Sequence, residues 1–398
     1  MHIPDGFASM PINIASAAAS VAVVGYALKR AGKSLDQKKI PLLGVVAAFI
    51  FAAQMLNFPV IAGTSGHFVG AVLAAVLLGP FEAVLVLALV LVLQCLMFAD
   101  GGITALGSNI FNMGVVGALL GYAAFRGVMV ILPKNKSGTL TAAAIAAWFS
   151  TVAAAVSCAV MLGASGRYPF ELAVPAMAGV HALIGIGEAA ITVVALALVM
   201  AARPELIAAR PGASVQTRTA ATGVWGVVVA GLGAAVVLAV IVSPYACSDP
   251  DGLEKKAIGE SARRFVEAAK AEISKPEVVK VEVYANPGVA EEIENTDGEP
   301  HRILCAAGMD ALAKTKVKEV ENAEIFAGRV VSTEASGALH EKKFEQQGAV
   351  WTHSPIADYR LNISDKDYLK VGLAGLIGTI LAFGIAFAMF SAVRGRKR

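Results

Sequence analysis

The sequence predicts an all-α polytopic membrane protein, and three observations lead there. Hydrophobic residues make up 57% of the 398 and charged ones only 16%, against about 45–50% and about 25% in an ordinary soluble chain. Apolar stretches of the roughly 17–25 residues needed to cross a bilayer recur along the chain. Charge is segregated as well: residues 245–368 hold 23 of the 30 acids and 16 of the 33 bases. A net-acidic polar insert therefore interrupts a net-basic membrane body. These features exclude a wholly soluble chain. They also give no basic arm for nucleic acid, because the basic excess lies beside apolar runs.

Taken in order, the spans are 12–28, 40–58, 81–98, 110–131, 140–163, 177–201, 222–243 and 369–393. The stretch 67–79 is short and ends in Gly79-Pro80, which turns the chain. It reads as a crossing covered by protein on all sides, since short segments at membrane depth need such cover. Nine spans result, seven of them before residue 203. Small residues dominate several, as in Ala15-Ser-Ala-Ala-Ala-Ser20, Ala142-Ala-Ala-Ile-Ala-Ala147 and Gly372-Leu-Ala-Gly375, and such surfaces let helices approach closely. Glu82 follows Pro80 at a helix start, where an acid suits the dipole. The domain boundaries read as 1–205 for a first membrane domain, 206–221 for a linker, and 222–398 for a second domain. That second domain has spans 222–243 and 369–393 around the insert 244–368.

Orientation follows from the bases. Lys29, Arg30, Lys33, Lys38 and Lys39 follow the first span, Arg126, Lys134 and Lys136 lie at or beyond the end of the fifth, Arg203, Arg210 and Arg218 follow the seventh, and Arg394 to Arg398 the last. The positive-inside rule puts all of these in the cytoplasm. The chain is then a multi-pass protein of the cell membrane with its C-terminus cytoplasmic. Its N-terminus, the 58–67 and 99–109 loops and the insert lie outside. Met1-His-Ile-Pro-Asp-Gly6 lacks the basic residues that open a signal peptide, so a mature N-terminus is expected, with the bulky His2 protecting Met1 from removal.

The four cysteines show no CxxC spacing; Cys247 and Cys305 both fall in the insert, where a bridge is one option. Of the six histidines, His2 and His67 stand out. The Met1 amine, the His2 amide and the His2 imidazole can close fused chelate rings around one ion in a plane. Planar nitrogen coordination belongs to Ni(II) or Cu(II). His67, in Gly63-Thr-Ser-Gly-His67, lies at the same outer boundary and can supply a fourth nitrogen. Read alone, His2 is equally an exposed terminal residue and His67 a hydrogen-bonding loop histidine.

The motifs around them narrow this. Met1-His-Ile-Pro-Asp-Gly6, Asn57-Phe-Pro-Val-Ile-Ala-Gly-Thr-Ser-Gly-His67, Phe98-Ala-Asp-Gly-Gly-Ile-Thr-Ala-Leu-Gly-Ser-Asn109 and Asn112-Met-Gly114 resemble the signatures of the NikM/CbiM family. That family comprises the substrate-capture (S) components of energy-coupling-factor nickel and cobalt transporters, and the likeness covers about residues 1–205. It implies a seven-helix S-component bundle with its N-terminus outside. It also implies a metal held by the Met1 amine, the His2 backbone and side chain, and the His67 imidazole. The PDGLE stretch Pro250-Asp-Gly-Leu-Glu254 and Pro355-Ile-Ala-Asp-Tyr359 resemble the small NikN-type partner, so the chain looks like a fused M–N protein. Its insert is longer than that partner's loop, and 275–350 has no counterpart role.

Further candidates surround these ligands. Asp5, Asn57, Ser65, Asp100 and Asn109 lie in the external motifs and are a possible second shell that orients imidazoles. Their alternative is turn and cap chemistry. His181 and Glu188 share a helix face about 10 Å apart and read as a buried polar contact between spans, while His301, His340 and His353 read as surface residues.

No GxxxxGK[ST] phosphate loop occurs. The chain is therefore expected to capture Ni2+ as substrate, with Co2+ the alternative. ATP-driven uptake would depend on a transmembrane coupling subunit and two ABC ATPases. A secondary carrier would need paired intramembrane acids, and a metal receptor would need an output module. An enzyme would need a nucleophile–base set, and none is visible.

Overall fold

The computed structural model describes residues 1–35, 37–59, 65–166, 170–202, 221–246, 278–285, 303–306, 326–333, 339–345, 354–356, 359–361 and 366–395. The chain divides into two units, Met1–Gly252 with Ala349–Arg398, and Leu253–Gly348.

The first unit is helical. It opens with α1 (Met10–Ser34), started by Pro11 in its first turn. Then come α2 (Ile40–Gln54), a two-strand hairpin of β1 (Asn57–Pro59) and β2 (Ser65–His67), and α3 (Ala71–Leu78). After α4 (Pro80–Phe98), a single turn α5 (Leu106–Asn109) leads through a wide π-helical turn at Ile110–Val116 into α6 (Gly117–Ile131). The helices α7 (Lys136–Ala164), α8 (Phe170–Ala202), α9 (Ala221–Val237) and α10 (Asp367–Gly395) complete the unit. Seven helical segments among the described residues are long and apolar enough to cross a membrane.

Two departures from the expected spans bear on the site. The second span was read as 40–58, but α2 ends at Gln54. Pro59 restricts the residue before it to extended backbone, and Asn57–Pro59 pairs with Ser65–His67 instead, Asn57 opposite His67. The short crossing is the helix α3, all eight of whose residues are buried. It packs among α4, α6, α7 and α8. A helix so short and so covered forms because its neighbours provide its environment, not because it spans a bilayer by itself.

Small residues set the close contacts. Ser16 Oγ meets Ser108 Oγ at 2.6 Å, and Ser20 donates to the Gly107 carbonyl at 2.8 Å. A Cβ at Gly107 would collide with Ala17 of α1. Gly375 of α10 lies against Ala239, where an added Cβ would meet the carbonyl oxygen at 2.8 Å. Both contacts are backbone-near crossings of the kind small residues permit.

The second unit contains a four-stranded antiparallel sheet, ordered β4 (Ile303–Ala306), β3 (Val278–Ala285), β5 (Phe326–Thr333), β6 (Leu339–Glu345). One of its two inner strands, β3, alternates Lys280, Val281, Glu282, Val283, the period of a half-covered strand. The sequence left this fold open. His340 lies in β6 opposite Ser332 and Cys305 in β4 opposite Glu282. Cys247, and with it the bridge to Cys305, lies outside the described residues, as do His301 and His353.

Candidate metal centre

The N-terminal residues do not trail into solvent. Ile3 donates its N–H to Asn109 Oδ1 at 2.8 Å, and its carbonyl accepts from Asn109 Nδ2 at 3.2 Å and from the Gly102 N–H at 2.9 Å. Asp5 Oδ1 accepts from the Thr104 N–H at 2.8 Å and from its hydroxyl at 2.6 Å. Asn109 thus clasps the terminus in both directions and does not cap the helix that follows, which has no side-chain cap. The reason is competition. Ile3 is wholly buried, so its main-chain groups need partners that water cannot supply.

These bonds deliver Met1 and His2 to His67. The Met1 amine lies 3.2 Å from His67 Nε2, and both residues are buried. The rings of His2 and His67 stack with centroids 5.1 Å apart. His67 Nδ1 faces the Phe68 carbonyl at 3.1 Å. A carbonyl only accepts, so Nδ1 carries the proton and Nε2 presents its lone pair to the amine. Metal–nitrogen bonds of about 2 Å separate neighbouring donors by about 2.8 Å and opposite ones by about 4 Å. The amine and Nε2 fall between these values, so one ion can take both after a small shift.

The turn carrying His67 is fixed from below. Glu188, almost fully buried on α8, accepts from the Val69 N–H at 2.7 Å and the Gly70 N–H at 2.9 Å. Gln54 donates to the Val69 carbonyl at 2.9 Å. Gly70 begins α3 with φ of +79°, which glycine adopts freely. The carboxylate so caps the positive end of α3. His181, likewise buried, has its Nδ1 2.8 Å from the Met177 carbonyl of its own helix.

The His2 ring meets Asp100 and Gln94 at its two nitrogens. Its Nδ1 lies 3.0 Å from Asp100 Oδ1, and its Nε2 lies 3.3 Å from Gln94 Oε1. Asp100 is reached because α4 ends in Ala99 at φ of +57° and Gly101 follows at +87°. Gln94 was not foreseen. Its signal was a lone amide in the apolar run Leu91-Val-Leu-Gln-Cys-Leu96, and polar side chains inside spans usually serve packing contacts or function. Its Nε2 is buried with no hydrogen-bond partner. Since an amide can offer either end, Gln94 suits either tautomer of the ring.

Of the remaining candidates, Asn57 stands opposite His67 in the hairpin, and Ser65 is described in its backbone alone. Glu82 lies in the first turn of α4 as expected. Among the described residues no three His, Cys, Asp or Glu side chains converge as a metal group. The donor set here depends on a terminal amine and a backbone nitrogen, which side-chain chemistry alone does not reveal.

Close backbone packing makes one site testable. A Cβ at Gly102 would collide with the backbone nitrogen of Asp5. Gly102→Ala is expected to push the terminus off its seat and weaken metal binding by about 10-fold or more, a loss typical of disturbed supporting groups. Isothermal titration, with circular dichroism showing unchanged helicity, checks it.

Comparison with known proteins gives the family. Residues 2–206 match the family model of the cobalt uptake substrate-specific transmembrane region, CbiM, and residues 225–277 match the PDGLE domain. A putative fused nickel transport protein NikMN of Archaeoglobus fulgidus is 44% identical over 52% of this chain and 68% of its own length. A putative metal transport protein of Haloquadratum walsbyi is 44% identical over 52% of this chain and 93% of its own. The fused nickel transport protein NikMN of Rhodobacter capsulatus is 36% identical over 60% of this chain and 71% of its own. The chain belongs to the CbiM family of substrate-specific transmembrane transport components and carries a PDGLE domain behind it.

Proposed function

We propose that this chain is the metal-capturing component of an energy-coupling-factor importer and that Ni2+ is its substrate. The Met1 amine, the His2 amide nitrogen, the His2 imidazole and His67 Nε2 hold the ion. Asp5, Asn57, Ser65, Asp100 and Asn109 surround them. What carries the reading is the buried contact of the Met1 amine with His67 Nε2 at 3.2 Å. It joins two nitrogen donors from segments far apart in the chain, one before the first span and one after the second.

Nickel is favoured over cobalt by the donors. A planar four-nitrogen field suits a d⁸ ion, and the general affinity order puts Ni above Co. The fused nickel relatives point the same way. A secondary carrier is disfavoured because Glu188, the acid in mid-span, is committed to the backbone of Val69 and Gly70 and not to a relay. Uptake then draws its energy from partner ATPases through a transmembrane coupling subunit. With the basic connections in the cytoplasm, the amine opens outward and the C-terminus inward.

The test is titration of Ni(II) and Co(II) into purified protein with and without His67→Ala. Removing a ligand is expected to weaken Ni(II) binding by more than about 100-fold, beyond the loss typical of second-shell changes. Unchanged affinity in the variant would refute the assignment, and Co(II) binding more tightly than Ni(II) would reverse the order of the metals.

A further inference from the structure

The second half of the chain reaches the metal centre through Ser354, Ile356 and Tyr359. Ser354 Oγ donates to the Met97 carbonyl at 2.6 Å, and the Ile356 N–H donates to the same oxygen at 2.9 Å. Together they close a carbonyl of the last turn of α4, one of those a helix end leaves open. Tyr359 then lays its ring on Phe98 with centroids 4.7 Å apart and planes at 15°. Its hydroxyl donates to Asp100 Oδ2 at 2.7 Å. Tyr359 holds φ of +55°, a strained backbone for a bulky residue, which persists only where surrounding contacts hold it.

Asp100 thus has two engaged oxygens, Oδ2 with Tyr359 and Oδ1 with His2 Nδ1. We propose that Tyr359 is a positioning residue of the metal centre: through Asp100 it holds the His2 imidazole by Nδ1, and capture of the ion must break that clasp. The inference rests on the proposed donor set, in which the ring joins the Met1 amine and the His2 amide. Only Nδ1 can close a six-membered chelate ring with the residue's own amide nitrogen, and Nδ1 is the atom Asp100 occupies. Once the ion takes Nδ1, the proton sits on Nε2 and Gln94 Oε1, already 3.3 Å away, accepts it.

The sign of the effect follows from what else orders the terminus. Ile3 is held by Asn109 and Gly102, and Asp5 by Thr104. Losing the Tyr359 hydroxyl leaves all of these in place, so the terminus stays seated. What weakens is the Asp100–His2 contact, which belongs to the ligand-free arrangement and competes with the ion, because the Asp100 carboxylate loses one of the two bonds that hold it in place. An interaction made only without ligand lowers affinity for the ligand.

The experiment uses the full chain in detergent with Ni(II) as probe. Association is followed by stopped-flow absorbance of the planar Ni(II)–nitrogen band, and affinity by competition with a chelator. Tyr359→Phe keeps the ring stack and removes the hydroxyl. It is expected to raise the association rate about threefold to tenfold, the scale of one ordinary intramolecular hydrogen bond. Asp100→Ala is expected to do at least as much, and the double variant no more than Asp100→Ala alone. Slower association in Tyr359→Phe overturns the inference, and so does the same gain in the Asp100→Ala background. The reading beneath it fails separately, when the unaltered chain does not bind Ni(II) or binds it equally well after His67→Ala.

Discussion

Extending the chain by two glycines ahead of Met1 is expected to abolish tight Ni(II) binding while leaving the helices intact. The extension turns the Met1 amine into an amide and moves the new terminus as far as about 7 Å away. A neutral amide nitrogen is a poor donor until it loses its proton. His67 Nε2, which faces the amine at 3.2 Å, would then face a group that cannot share the ion with it. The loss should exceed the 10- to 100-fold typical of second-shell changes, by about another order of magnitude. Chelator competition reads the affinity, and circular dichroism reads the fold. A single inserted residue between Met1 and His2 is the wrong probe, for a chemical reason. It places the imidazole third from the amine, where one amine, two amides and one imidazole close around an ion without His67. Equal Ni(II) affinity with and without the two-glycine extension would remove the terminal amine from the mechanism.

What the sequence showed and what it hid differ by the kind of interaction. The spans were legible because apolar length is a local property, and the bases between them are local too. His2 and His67 were legible through the segments around them, Met1 to Gly6 and Gly63 to His67. The early end of α2 was readable in principle from Pro59, yet the long apolar run before it concealed the stop. Gln94 and Tyr359 were missed for a different reason. Each matters through one contact with a residue far along the chain, Gln94 with His2 and Tyr359 with Asp100. No periodicity or spacing encodes such a pair. Asn109 stood among the candidates around the ligands, with a helix cap as its alternative, and no spacing foretold that its side chain would bond both main-chain groups of Ile3. The sheet of the insert was unreadable as a fold because its central pairing and one edge pairing cross long connections and its strands carry no motif.

Glu188 gives the second large expected effect, and it separates positioning from ligation. Its carboxylate is the acceptor for both Val69 N–H and Gly70 N–H, and it is 1% exposed. Glu188→Ala leaves two buried donors without acceptors at the start of α3. Bonds from backbone donors to a charged group are worth about 1.5–3 kcal/mol each, and unsatisfied donors cost a similar amount. A destabilisation of about 3–5 kcal/mol is therefore expected, read as a fall in melting temperature in detergent. Ni(II) affinity should fall as well, because Val69 lies two residues after His67 and fixes the height of its ring. Glu188→Gln retains one acceptor oxygen and should recover much of the stability. The two residues then give different patterns of loss. His67→Ala removes a donor with little effect on melting, whereas Glu188→Ala lowers melting and affinity together. A Glu188→Ala variant that melts like the unaltered protein would show that the α3 turn holds itself, and Glu188 would need another role.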